Sequence, residues 1–307
     1  MTRWTAADIP PQTGKTALVT GSAGLGFETA RELARAGARV IVASRNPETG
    51  AEAIARIKAE IPNAVLNFEA VDLSSLASVS ALAARLRAQT DALNLLVNNA
   101  GVMTPPRRME TPDGFELQFG TNHLAHFALT GLLLPLLVNA GQARVVTLSS
   151  IAARGGRIDF ADLQQTDYRP MPAYSQSKLA CLMFGLELQR RSVAEGWGLT
   201  SIPVHPGISR TGLLYNTPGG ASGVRRAMRA MLWFLFQPVP QGALPSLFAA
   251  TAPQARGGVY YGPDGRAELS GFPAEARIPA PATDEAACRR LWEVSEALTG
   301  VRFEAGR

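Results

Sequence analysis

Short runs of β-branched and apolar residues alternate with longer helix-forming windows along almost all of the 307-residue chain, and this alternation constrains the fold more than any other feature. The strand-like runs are TALVT (16–20), RVIVAS (39–44), VLNFEAVDL (65–73), LNLLVNNAG (93–101), RVVTLSS (144–150), LTSIPVHPG (199–207) and GVYYG (258–262). Between them GFETARELARAG, PETGAEAIARIKAE, LASVSALAARLRA, DGFELQFGTNHLAHFALTGLLLPLL and AYSQSKLACLMFGLELQRR carry helical periodicity. Strand and helix in strict turn demand right-handed crossovers between parallel strands, and a parallel sheet needs cover on both faces. The expectation is one doubly wound α/β domain over 15–307, mostly seven parallel strands with helices on both faces, behind a polar tail at 1–14.

In such a sheet ligands bind beyond the carboxyl ends of the strands, near the point where strand order reverses. The informative polar residues fall there: GSAG after the first strand, SRN after the second, DL after the third, NNAG after the fourth, SS at the end of the fifth and HPG after the sixth. One site built from six strand ends is not a packing accident. The glycines Gly21, Gly24 and Gly26 stand between a strand and a helix and suggest a phosphate cradle, and the expected domain is Rossmann-type. Their spacing is G-x-x-G-x-G, whereas the common dinucleotide loop is G-x-G-x-x-G.

Other function classes fit less well. Apolar residues at 46% and charged residues at 18% give a globular composition without a disordered tract. The net charge of +5 rests mostly on scattered arginines, with no basic block interleaved with aromatics, so no nucleic-acid partner is expected. Cys181 and Cys288 form no C-x-x-C, and His123 and His126 have no carboxylate or cysteine beside them, so they read as helix-face residues and no metal is expected. MTRWTAADIPPQ lacks the apolar core of a signal peptide, and ALTGLLLPLLV and MLWFLF are too short to span a bilayer. A cytoplasmic location is the expectation.

The chemistry concentrates in AYSQSKLA. Tyr174 and Lys178 are four apart at the start of a helical window, which places phenol and ammonium on one face. A phenol with an ordinary pKa near 10 is a poor base at neutral pH, and a neighbouring cation favours the phenolate. Such a pair takes a proton from an alcohol or returns it to a carbonyl. Five tyrosines and three lysines give about 0.05 chance occurrences of Y-x-x-x-K in a chain of this length. Upstream, Ser149 and Ser150 close the fifth strand; alternation turns one of them to the site, and Ser150 is preferred. Asn122 is a polar amide inside the long helical window.

Together these residues resemble the short-chain dehydrogenase/reductase family: the glycine loop, Asp72-Leu73, NNAG at 98–101, Asn122, Ser150, Y-x-x-x-K at 174–178 and HPGISRT at 205–211. The resemblance covers the chain from about Lys15 to its end. GRIDFADL, AYSQSKLA and YYGPDGRAELSG, with Ser150 and Tyr174 standing 24 apart, are similar to the retinol-dehydrogenase branch. The resemblance implies that Tyr174 is the general acid/base, that Ser150 orients and polarises the carbonyl oxygen, that Lys178 lowers the phenol's pKa and bonds the nicotinamide ribose, and that Asn122 holds a water linking Lys178 to solvent. It implies a cofactor site of Gly21, Ser22, Gly24, Leu25, Gly26, Ser44, Arg45, Asn46, Asp72, Leu73, Asn99, Ala100, Gly101, Tyr174, Lys178, Pro206, Gly207 and Thr211. Ser44-Arg45-Asn46 offers a cation and no acid where an acid would select NAD(H), which favours NADP(H) over NAD(H).

Two alternatives to an NADP(H)-dependent alcohol/carbonyl oxidoreductase stay open. TGSAGLG is one residue shorter than the family's T-G-x-x-x-G-x-G, which suits a non-catalytic nucleotide-binding or scaffold protein; and a tyrosine can protonate carbon, which suits a carbon–carbon double-bond reductase. The variable segment 212–240, on the substrate side in this family, contains an apolar stretch at 224–236 that reads as a lid over a small lipophilic substrate, a homo-oligomer interface or a membrane-surface helix.

Overall fold

A computed structural model describes residues 3–209 and 237–305. Eight strands form one sheet: β1 (Thr16–Thr20), β2 (Arg39–Ser44), β3 (Leu66–Ala70), β4 (Leu95–Asn98), β5 (Arg144–Leu148), β6 (Thr200–Val204), β7 (Tyr261–Pro263) and β8 (Pro273–Glu275). Their order is β3-β2-β1-β4-β5-β6-β7-β8. The order reverses between β1 and β4, so a crevice opens where the glycine loop and NNAG end. Every pair is parallel except β7 with β8.

The seven expected strands are all present and parallel, and an eighth, antiparallel strand is added to them. β8 is three residues long and lies at the sheet edge, too short for an alternating pattern to register in the sequence. β7 also begins at Tyr261 rather than at Gly258, because Gly258 takes a left-handed φ of +74° that ends any extended run there. The runs that read through VDL, NAG, SS and HPG end as strands at Ala70, Asn98, Leu148 and Val204, and Asn99–Gly101, Ser149, Ser150, Pro206 and Gly207 border the crevice beyond them.

Alternation along the strands sorts their side chains onto two buried faces. Ala17, Val19, Val40, Val42, Leu95, Val97, Val146 and Leu148 pack with α1 (Gly24–Arg35), α2 (Pro47–Glu60) and the Leu244–Ala250 face of α8 (Val239–Thr251). Leu18, Ile41, Ala43, Leu96 and Val145 pack on the other side against α3 (Leu76–Gln89), α5 (Ala125–Leu132) and α6 (Leu134–Asn139). Both faces being apolar is what a parallel sheet demands.

The long helical window is not one helix. It begins as α4 (Leu117–Phe119), passes through a π-helical turn at Gly120–Leu124, continues as α5 and breaks at Leu133 before Pro135 in α6. Pro135 lacks an amide hydrogen, which accounts for that break. The π-turn carries Asn122. α7 (Pro170–Glu195) carries Tyr174 and Lys178, and starts where Pro170 suits a first helical turn. It ends at Gly196, whose φ of +67° makes a left-handed cap. Buried on nearly every side from Ala173 to Leu188, it lies between the sheet and α10 (Glu285–Thr299), past the short α9 (Ala280–Thr283). Among the described residues no helix is long and apolar enough to cross a membrane.

Candidate active site

A cavity of about 520 Å³ lies at the carboxyl edge of β1, β4, β5 and β6. Of the sequence-expected residues it brings together Gly21, Ser22, Gly24, Leu25, Asn99, Ala100, Gly101, Ser150, Tyr174, Lys178, Pro206 and Gly207. Gly26, Ser44, Arg45, Asn46, Asp72, Leu73 and Asn122 do not line it. Thr211 and 224–236 lie outside the described residues.

The glycine loop closes by two left-handed residues, Gly21 at φ +96° and Gly24 at φ +55°. That sharp reversal accommodates the shortened spacing, and only glycine adopts it without strain. Gly26 serves close approach instead: a Cβ there would meet the Gly21 carbonyl oxygen at 2.4 Å and Asn99 Nδ2 at 2.6 Å. Thr20 fastens the loop to the end of β4. Its Oγ1 accepts from Asn99 N at 2.9 Å and Ala100 N at 3.0 Å, while Asn99 Nδ2 donates to the Thr20 carbonyl at 2.7 Å.

The α1 N-terminus opens on the cavity without a side-chain cap, because Ala23 occupies the cap position. Asn46, Ser75 and Asp284 each accept from backbone amides at the starts of α2, α3 and α10. Among the described residues no side chain takes the first-turn amides of α1, so they can donate to an anion, and the helix dipole favours one there. The pinched glycine contacts and the uncapped helix start fit a dinucleotide's pyrophosphate.

At the β2 end, Ser44 Oγ donates to Ser22 Oγ at 3.1 Å, and Ser22 Oγ lies 3.5 Å from Thr49 Oγ1. Arg45 is exposed and shares a shallow recess of about 410 Å³ with Asn46, Pro47 and Glu48. Asn46 Oδ1 is committed to capping α2, with Glu48 N at 2.8 Å and Thr49 N at 3.2 Å. Asp72 Oδ1 accepts from Ser74 N and Ser74 Oγ at 2.9 and 2.7 Å, and Leu73 is buried in the core.

Both serines border the cavity, where alternation led to the expectation of only one, and they differ in their hydrogen bonds. Ser149 is buried and donates to the Lys178 carbonyl at 2.7 Å. Ser150 caps the 3-10 turn Ile151–Gly155 by accepting from Ala152 N at 3.2 Å, and its own proton has no acceptor among the described residues. Lys178 Nζ donates to the Leu148 carbonyl at 3.0 Å. Tyr174 is 7% exposed and faces the cavity from the first turns of α7.

Asn122 is buried and its side chain is bonded on both sides. Its Oδ1 accepts from Val102 N at 2.8 Å, and its Nδ2 donates to the Val102 carbonyl and to Ser177 Oγ, both at 3.0 Å. It clamps the segment after NNAG to α7 through Val102 and Ser177. His123 and His126 are helical residues, as expected, and both are buried: His123 bonds Ser295 Oγ at 2.8 Å, and His126 reaches Thr20 and Asn122.

Sequence reasoning missed the apolar wall of the cavity: Met103, Leu148, Ile151, Ala152, Met171 and Ile208. Apolar residues beside recognised motifs carry no chemical signal of their own, and only the fold aims them inward. Met171, although 51% exposed, is one of them.

The sequence model of the short chain dehydrogenase family matches residues 15–218. Mouse polyprenol dehydrogenase is 42% identical over 300 residues, covering 95% of this chain and 86% of that protein. Human retinol dehydrogenase 13 is 40% identical over 308 residues, covering 98% and 88%. Among solved structures, an uncharacterized protein from Mycobacterium Paratuberculosis superposes with a TM-score of 0.79 at 38% identity, covering 99% of this chain and all of that one.

Proposed function

The chain belongs to the short chain dehydrogenase family, in its retinol-dehydrogenase-like branch, and from that premise we propose an NADP(H)-dependent oxidoreductase that interconverts an alcohol and a carbonyl on a small lipophilic molecule. The observation that carries the proposal is that one cavity collects Tyr174, Lys178 and Ser150 with the glycine loop and Asn99–Gly101. A nicotinamide cofactor, when bound, supplies or accepts the hydride.

Within this reading, the uncapped start of α1 and the Gly21–Leu25 loop bind the pyrophosphate. Ser150 donates its proton to the substrate oxygen and orients it. Tyr174 delivers a proton to that oxygen during reduction and removes it during oxidation, and Lys178 lines the same cavity one helical turn further along. Arg45 and the Ser22–Ser44 hydroxyls supply the donors for a 2′-phosphate, and Ser44-Arg45-Asn46 itself contains no acid, although Glu48 borders the same recess as Arg45. The apolar wall of Met103, Ile151, Met171 and Ile208 suits a lipophilic substrate, as the names of the polyprenol and retinol relatives suggest by analogy. Cys181 and Cys288 are buried free thiols, compatible with the reducing cytoplasm proposed as the location.

The test combines NADPH and NADH fluorescence titrations with turnover on a panel of aldehydes, ketones and lipophilic alcohols. NADPH should bind more tightly than NADH. Tyr174→Phe should lower kcat by roughly 10² to 10⁴ and leave the NADPH Kd within about threefold, ~0.7 kcal/mol. Full activity in Tyr174→Phe removes the tyrosine from its role. NADPH binding without turnover on any substrate favours the nucleotide-binding scaffold.

A further inference from the structure

We propose that His126 is a positioning residue that ties the cofactor cradle to the Asn122 turn, acting as an imidazole protonated on Nδ1. This rests on the reading of the cavity as a dinucleotide site, but its geometry stands without a ligand.

The tautomer follows from the partners. His126 Nδ1 lies 2.9 Å from the Asn122 carbonyl oxygen, which only accepts, so Nδ1 carries the hydrogen. Nε2, 3.0 Å from Thr20 Oγ1, is then the acceptor, and the Thr20 hydroxyl gives it its single proton. With that proton committed, the lone pairs of the same oxygen face Asn99 N and Ala100 N. The other acceptor in reach of Thr20 Oγ1 is the Val97 carbonyl at 3.4 Å, a poorer bond. One buried ring therefore fixes the direction of the Thr20 hydroxyl, and that hydroxyl joins the glycine loop on one side of the cavity to Asn99 and Ala100 on the other.

The far end of the ring matters equally. The Asn122 carbonyl also receives the Cys181 thiol at 3.2 Å. Ring and thiol together occupy both lone pairs of that carbonyl, while the Asn122 side chain holds Val102 and Ser177. Asn122 thus acts in this chain as an anchor of the π-turn, and His126 passes that anchor to the cradle. Burial holds His126's pKa down to about 4, reinforced by the Lys178 charge, while its bond to the Asn122 carbonyl works in the opposite direction.

Two substitutions separate the two ends. In His126→Gln the amide oxygen reaches toward the former Nε2 position and accepts from Thr20. In His126→Asn the shorter amide reaches only toward the Asn122 carbonyl. Hydrogen exchange at the Asn99 and Ala100 amides, followed in the protein without cofactor, reads the Thr20 link directly. Loss of one such bond should speed exchange roughly fivefold to tenfold in His126→Asn, with His126→Gln within about threefold of wild type. The NADPH Kd should follow the same order while kcat at saturation changes less than Kd. Equal exchange in wild type and His126→Asn, or equal loss in both variants, overturns the proposal. Should neither variant fold, ring ¹⁵N shifts of the wild-type protein decide: a protonated Nδ1 supports it and a protonated Nε2 overturns it. Altered exchange in a protein whose wild type binds no NADPH sinks the proposed function and leaves the positioning role standing.

Discussion

Gly26 shows how a single position can be fixed by space alone. Its backbone is ordinary helix, so φ does not demand glycine; the Gly21 carbonyl and Asn99 Nδ2 do. Gly26→Ala should cost about 1–3 kcal/mol by overpacking, measured by urea unfolding. Gly155→Ala, where a Cβ meets nothing within 4 Å, is the matched control and should change stability by less than about 0.5 kcal/mol. The glycine was legible as part of a loop motif, but its reason was not. Spacing suggested a phosphate contact, whereas Gly26 does not line the cavity and instead lets Gly21 and Asn99 pack against the helix. His126 is the opposite case, a residue that reads as an ordinary helix position and is found joining two parts of the site. Nothing in NHLAHF announces that, because Thr20 is 106 residues away.

Among the elements, the shortened glycine turn has the clearest consequence. Its contacts hold as they stand: Gly21 N donates to the Ala43 carbonyl at 2.7 Å, Thr20 holds Asn99 and Ala100, and α1 begins at Gly24 with no side-chain cap among the described residues. Inserting one residue after Ser22 should therefore not tighten NADPH binding by more than about threefold, ~0.7 kcal/mol, in a direct titration. A gain of tenfold or more would show the native turn to be a defect. The π-turn at Gly120–Leu124 was hidden in the sequence, since its apolar pattern is that of any buried helix and helical periodicity does not distinguish an extra residue in one turn. Its position at Asn122 accords with the association of such turns with functional sites. The ranges of α2 and of β1 and β2 were readable to the residue, because Asn46-Pro47 and the flanking glycines mark their ends in local chemistry.

For the whole molecule, the buried histidines set an acid limit. Burial holds the pKa of His123 down to about 3 and that of His126 to about 4, well below the ordinary value near 6.5. A histidine depressed in the folded state contributes stability that is present above its unfolded pKa and declines as pH falls toward its folded value, because the unfolded chain takes up a proton the folded chain refuses. Each such group adds a slope approaching about 1.4 kcal/mol per pH unit between those limits. Carboxylates titrate in the same range, with Glu28 and Glu116 raised by burial, so the histidine part is best read as a difference. Between pH 4.5 and 5.5 the stability of His123→Gln should depend on pH less steeply than that of wild type by about that amount. Equal slopes in chemical unfolding would mean that His123 is protonated in the folded protein.

The sequence by itself determined the doubly wound sheet, its crevice and the residues that carry recognisable chemistry, because periodicity and strand-end motifs are local properties of the chain. It did not determine the antiparallel β8 edge, the apolar wall or the buried bridge from Thr20 through His126 to Asn122. Those depend on which distant segments meet, and the direction of a proton in a shared hydrogen bond exists only once all its partners are in place.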